Sequence, residues 1–160
     1  MPEPKPSTEA LIAQIETAFG GLQMPADDEL LHSDCRDDVD ILEFYGGIKW
    51  QEMTDDMVVY VYAAPTAFSA KAFQYYLPAY LIWTLRNPDS PDYAGESTLL
   101  ALDPGTPDES LHDFRKSKFA MLTLEQRGLV REVLCHFANH AYFGELAETA
   151  LLNYWLDDEA

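Results

Sequence analysis

Two histidines, His136 and His140, stand four residues apart, and on a helix that spacing turns both imidazoles to one side, as in a two-histidine metal site. The intervening Phe137-Ala138-Asn139 lacks the glutamate that a helical zinc protease uses as its base. His32 and Cys35 could be drawn into a Cys/His set, but Cys135 is adjacent to His136 and diverges from it by roughly 100° around a helix. Nothing fixes the remaining ligands, so two solvent-edge histidines and no metal are expected. The acids Asp34, Asp37, Asp38 and Asp40 crowd one stretch, yet the alternating Asp-x-Asp-x-Asp-Gly loop that holds calcium is missing and Ile41-Leu42 follows at once. They read as a solvated face, continued by Asp55 and Asp56. Cys35 lies between Asp34 and Asp37, where negative charge holds a thiol neutral and makes it a poor nucleophile. No serine occupies a nucleophile motif. The remaining candidate is Tyr75, Tyr76 and Tyr80 around Pro78. A helix broken at Pro78 would free the Gln74 carbonyl and let the tyrosine hydroxyls face a ligand, whereas an intact one would bury them as packing.

The element that must position those tyrosines runs from Ser69 to Arg86. From Ala72 to Leu85 it carries no charge, and Phe73, Tyr76, Leu77, Tyr80, Leu81 and Leu85 recur at helix spacing, with Tyr75, Ile82 and Trp83 on the other faces. A helix apolar nearly all round has to be surrounded, so it is read as the centre of the fold, with Ser69 as N-cap and a kink or break at Pro78. Before it, residues 1–7 hold three prolines and form an extended tail. Leu11, Ile12, Ile15 and Phe19 then mark a helix capped by Ser7 or Thr8 and ended by Gly20-Gly21. Pro25 opens a short helix, and Val39 to Tyr45 is taken as helix although a strand also fits. Met57 to Tyr62 is β-branched and aromatic, as in a strand, but the cap at Thr54 with Asp55-Asp56 favours a helix ending before Pro65. Beyond Asn87-Pro88, Glu96 to Leu102 fits a helical turn or a strand, and Asp103 to Pro107 is a loop followed by the basic cluster Arg115, Lys116 and Lys118. Thr123-Leu124-Glu125-Gln126 is a capping box opening a helix with Val130, Val133, Leu134, Phe137 and Ala141 on one face. A last helix after Gly144 carries Leu146, Ala150, Leu151, Tyr154 and Trp155 toward the core. The expectation is an all-α or nearly all-α small helical bundle, one globular domain over residues 8–160.

Composition bounds what such a bundle can do. Twenty-eight acids oppose ten bases, for a formal charge of -18, which disfavours binding to nucleic-acid phosphates or anionic membranes and favours a basic partner. Residues 1–60 alone hold fourteen acids and three bases. Two cysteines make no disulfide framework. No basic start followed by an apolar run reads as a signal peptide, and the uncharged stretch is shorter than the ~20 residues a bilayer span needs, so a cytoplasmic protein is expected.

Two stretches carry a resemblance. Phe68-Ser69 with Phe73-Gln74-Tyr75-Tyr76-Leu77-Pro78-Ala79-Tyr80-Leu81, and Phe119-Ala120-Met121-Leu122-Thr123-Leu124-Glu125-Gln126 some forty residues on, resemble an uncharacterised bacterial domain family of unknown function. The resemblance covers about the C-terminal two thirds and implies a domain without an assigned activity, hence no catalytic residues and no cofactor. The leading functional expectation is a non-enzymatic, immunity-protein-like interaction module that offers Asp34, Asp37, Asp38, Asp40, Asp55 and Asp56 to a basic protein, as a monomer or weak homodimer. The alternative is a small-molecule binder or enzyme with its site at Tyr75, Tyr76, Pro78 and Tyr80.

Overall fold

The computed structural model describes residues 7–31, 44–45 and 47–156. Among them are seven α-helices and no strand: α1 (Thr8–Phe19), α2 (Asp55–Tyr60), α3 (Ala70–Arg86), α4 (Ala94–Ala101), α5 (His112–Ser117), α6 (Leu124–Phe137) and α7 (Gly144–Ala150). Single 3-10 turns occupy Asp27–Glu29, Trp50–Glu52 and Ala64–Thr66, and a π-helical turn, Leu151–Trp155, prolongs α7. The all-α expectation holds.

Local chemistry starts most of these helices. The Ala10 amide donates to Ser7 Oγ at 3.1 Å, which decides between the two candidate caps of α1. At α2 the Met57 amide donates to Thr54 Oγ1 at 3.3 Å, and this cap overrides the strand tendency of the residues that follow. The Ser69 hydroxyl caps α3 by accepting from the Ala72 amide at 3.1 Å, and it donates to the Glu29 carbonyl. A Lys71–Glu29 ion pair at 2.8 Å and a bridge between Leu31 and Phe68 tie the same turn to the start of α3. The helix expected over Val39–Tyr45 lies mostly outside the described residues; Phe44 and Tyr45 are helical.

Every residue of α3 from Ala72 to Leu85 is buried, and its neighbours are α1, α2, α4 and the turns at Trp50–Glu52 and Ala64–Thr66. Pro78 sits inside this helix without ending it. An interior proline costs ~3 kcal/mol in an ordinary helix, and burial of some ten apolar side chains on α3, each contributing roughly 1.5–3 kcal/mol, outweighs that cost. Two polar residues interrupt the apolar surface. Thr84 donates back to the Tyr80 carbonyl within the helix at 2.8 Å. Gln74 reaches outward, its Nε2 donating to the Met121 carbonyl at 2.8 Å and to Gln126 Oε1 at 2.9 Å.

Gln126, only 1% exposed, closes the capping box of α6: its amide donates to Thr123 Oγ1 at 3.1 Å, and the Thr123 amide donates to its Oε1 at 3.0 Å. Its Nε2 also donates to the Ala18 carbonyl at 3.1 Å. One side chain therefore joins α1, α3 and α6. On the far side α4 packs against α7, where a Cβ on Gly95 would stand 2.8 Å from the buried Phe143 ring. The C-terminal turn is fixed by Trp155 Nε1 donating to the Leu102 carbonyl at 2.7 Å and by Arg131 Nε donating to the Trp155 carbonyl at 2.9 Å.

Two substitutions test this packing by urea unfolding. Replacing Gln126 by Ala strands the Gln74 amide, the Thr123 amide and the Ala18 carbonyl, and should lower stability by about 3 kcal/mol. Gly95→Ala should lower it by about 1–3 kcal/mol despite the ~1 kcal/mol gain in helix propensity, because the new Cβ presses on the tip of the buried Phe143 ring, which packs against Phe137, His140 and Tyr142.

Candidate functional site

The α2–α3 side of the molecule separates residues that the chain places close together. On α3, Ala79, Ile82, Trp83 and Arg86 follow at helix spacing and share a face. With Glu16 of α1, Trp50, Gln51 and Met53 of the intervening turn, and Asp55 and Val58 of α2, they line a cleft of about 370 Å³. Its apolar walls are Trp50, Met53, Val58, Ala79, Ile82 and Trp83, while Glu16, Asp55 and Arg86 are exposed. Trp50 spends its indole N–H on the Phe19 carbonyl at 3.3 Å. Trp83 is 4% exposed, and its N–H takes no acceptor among the described residues. No ion pair engages Arg86, Glu16 or Asp55 among the described residues.

The tyrosines of the Pro78 region point elsewhere. Tyr76 donates to the Ile48 carbonyl at 2.7 Å, and Tyr80 donates to the Val61 carbonyl at 2.9 Å and meets the Tyr45 hydroxyl. Tyr45, Tyr76 and Phe68 pack ring to ring at centroid distances of 4.6–5.5 Å. Tyr75 is buried beside them, its ring edge-on to Tyr76. The described lining of the cleft contains none of Tyr75, Tyr76, Pro78 or Tyr80. Burial, above all, pushes the hydroxyls of Tyr45, Tyr76 and Tyr80 far above the ordinary tyrosine range; neighbouring tyrosines add to this at Tyr45 and Tyr76, while at Tyr80 the hydrogen bond with Tyr45 works against it and Tyr76 adds to it.

The acidic candidates divide. Asp34, Asp37, Asp38 and Asp40 lie outside the described residues, as do His32 and Cys35. Asp55 and Asp56 form the first turn of α2. Asp55 lines the cleft, whereas Asp56, four residues before Tyr60, shares that tyrosine's outer face. Tyr60 is 77% exposed and stacks on Phe44. Elsewhere Tyr62 contacts Tyr93 at 5.9 Å between ring centroids, and Tyr142 donates to Glu96 Oε2 at 3.3 Å, contacts that no sequence motif signals. Tyr93 and Tyr142 are about two-thirds exposed. The Glu96 carboxylate, and more weakly Tyr93, raise the Tyr142 hydroxyl above its usual range. Asp89 and Asp92 flank Tyr93 in sequence, and both are exposed. The exposure of these rings is a tertiary property, and their only sequence signal is the run of acids around them.

The histidine pair does not assemble. α6 ends at Phe137, so His140 falls in the following turn and no longer shares a face with His136. His136 approaches Thr8 Oγ1 at 3.5 Å. His140 Nδ1 accepts from the Tyr142 and Phe143 amides at 3.1 and 3.2 Å, which leaves the proton on Nε2, 3.5 Å from Asp89. No group of three potential metal ligands gathers among the described residues. None of the described helices is long and apolar enough to cross a membrane.

These features define an all-α protein with an amphipathic cleft and a tyrosine-studded acidic surface. The chain belongs to a family of unknown function, DUF6714, which matches residues 7–159 and so takes in the N-terminal third as well as the two motif regions. No curated protein and no solved structure matches it.

The buried tyrosines give a pH signature. A folded-state value raised above the unfolded one stabilises the fold fully below the unfolded value, about 10 for tyrosine. That stabilisation is lost as pH rises toward the folded value. Once the unfolded chain ionises, Tyr45, Tyr76 and Tyr80 should together remove about 4 kcal/mol per pH unit. Urea unfolding midpoints should fall steeply above about pH 10, and the fall should be shallower in Tyr80→Phe.

Proposed function

We propose that this protein is a non-enzymatic acidic interaction module that docks a basic protein partner, in the manner of an immunity protein covering a nucleic-acid groove in a bacterial cytoplasm. The observation that carries the reading is a set of exposed tyrosines, Tyr60, Tyr62, Tyr93 and Tyr142, in which Tyr62 meets Tyr93 and Tyr142 meets Glu96, on a chain of charge -18 that also exposes Asp56, Asp89 and Asp92. Rigid aromatic side chains dominate binding energy at interfaces, and tyrosine faces attract arginine and lysine cations. Carboxylates around them bring a basic surface in quickly and set its register. Asp34, Asp37, Asp38 and Asp40, outside the described residues, contribute to the negative charge of the chain. The partner would be met by a monomer, or by one copy of a weak homodimer.

Affinity capture from the native cell with the tagged protein, at about 50 mM and about 300 mM salt, tests the reading. One basic protein should be enriched at low salt and reduced at high salt. Tyr93→Ala combined with Tyr142→Ala should release it, since two central anchors each contribute about 2 kcal/mol or more. Unchanged capture by that double variant, or capture insensitive to salt, would contradict it.

A further inference from the structure

The cleft beside α3 is chemically distinct from the tyrosine surface. At about 370 Å³ it stands at the small end of ligand pockets, which run from about 300 to 1,000 Å³, and suits a metabolite of amino-acid size better than a nucleotide. Its walls ask for an apolar group, and its polar groups come in both signs. Arg86 and the Trp83 N–H are donors without acceptors among the described residues; Glu16 and Asp55 are carboxylates without cations there. Arg86 lines the same cleft as Glu16 and Asp55, yet forms no ion pair of 4.0 Å or less with either.

A simple anion would satisfy Arg86 but meet two carboxylates in the strong negative field of the chain. A simple cation would satisfy Glu16 or Asp55 but face the guanidinium and leave the indole donor unmatched. An occupant bearing both signs on adjacent atoms, with an apolar branch, answers every group. We propose that the cleft binds a free α-amino acid with an apolar side chain. The α-carboxylate is held by Arg86 and the Trp83 N–H, the ammonium by Glu16 or Asp55, and the side chain by Met53, Val58 and Ile82. The proposal does not rest on the docking surface. It places a ligand one helical turn beyond Pro78, on a face of α3 that the buried tyrosines leave open.

Isothermal titration of the full chain with L-leucine, L-methionine and L-phenylalanine tests it. At least one should bind saturably, and both its amide, which lacks the carboxylate, and its deaminated acid, which lacks the ammonium, should bind at least about tenfold more weakly. Arg86→Met, at an exposed helix end, should also weaken binding at least about tenfold, and Ile82→Trp should abolish it by filling the cleft. Circular dichroism would confirm that both variants keep their helices. No saturable binding of any of the three amino acids up to about 10 mM would overturn the proposal, as would equal affinity for the deaminated acid or undiminished binding by Arg86→Met. The Tyr93→Ala, Tyr142→Ala variant should bind the amino acid normally, so failure here is distinguishable from failure of the docking reading.

Discussion

Two glutamine side chains shut away from water fix how these helices sit. Gln126 and Gln74 are buried where an unmatched amide would cost about 1–3 kcal/mol, so each must find partners, and the partners lie on three different helices. Gln126 accepts from the start of its own helix, receives Gln74 of α3 and donates to the end of α1. An apolar contact tolerates sliding by an ångström or two. A hydrogen-bonded amide pair does not, so it gives α3 a defined rotation and height within an otherwise greasy surround.

That rotation decides what each face of α3 can do. With Gln74 directed at α6, Tyr76 and Tyr80 turn toward the segments at Ile48 and Val61 and hold their backbone carbonyls. The stripe Ala79, Ile82, Trp83, Arg86 faces α1, α2 and the Trp50 turn instead. Ala79 of α3 and Asp55 and Val58 of α2 line the cleft there. Two acids of one helical turn are sorted by the same geometry, Asp55 into the cleft and Asp56 toward the tyrosine-rich surface. The molecule thus has a sealed polar interior on one side of its central helix and unmatched donors and acceptors on the other.

Much of this was legible in the chain because it is local chemistry. Caps at Ser7, Thr54, Ser69 and Thr123 act on amides two or three residues away, so sequence reveals them directly, and the cap at Thr54 settled a segment whose residue types favoured a strand. The central helix announced itself by lacking charge. α5 was not foreseen, because a six-residue helix with Phe114 as its one apolar side chain and no side-chain cap carries no periodic signal; its first residue, His112, is buried, and its Nδ1 meets the Gly105 carbonyl at 3.0 Å. The histidine spacing implied one face only if the helix continued, and α6 stops at Phe137. Gln126 was readable as a cap but not as a tie to α1 and α3, since those partners lie 108 and 52 residues away. Tyr60 and Tyr62 sit in a β-branched, aromatic run whose residue types give no sign of the exposure they have at and just beyond the end of α2.

The claim at the centre of this account is that, among the described residues, the buried polar groups of α3 at Gln74, Tyr76, Tyr80 and Thr84 find protein partners while the Trp83 N–H and Arg86 find none. Hydrogen exchange of the three indole N–H groups, followed by NMR on the free protein, measures it most directly. Trp50 and Trp155, bonded to the Phe19 and Leu102 carbonyls, should exchange slowly, and Trp83 should exchange fast. Slow exchange at Trp83, or fast exchange at either of the other two, would contradict the account.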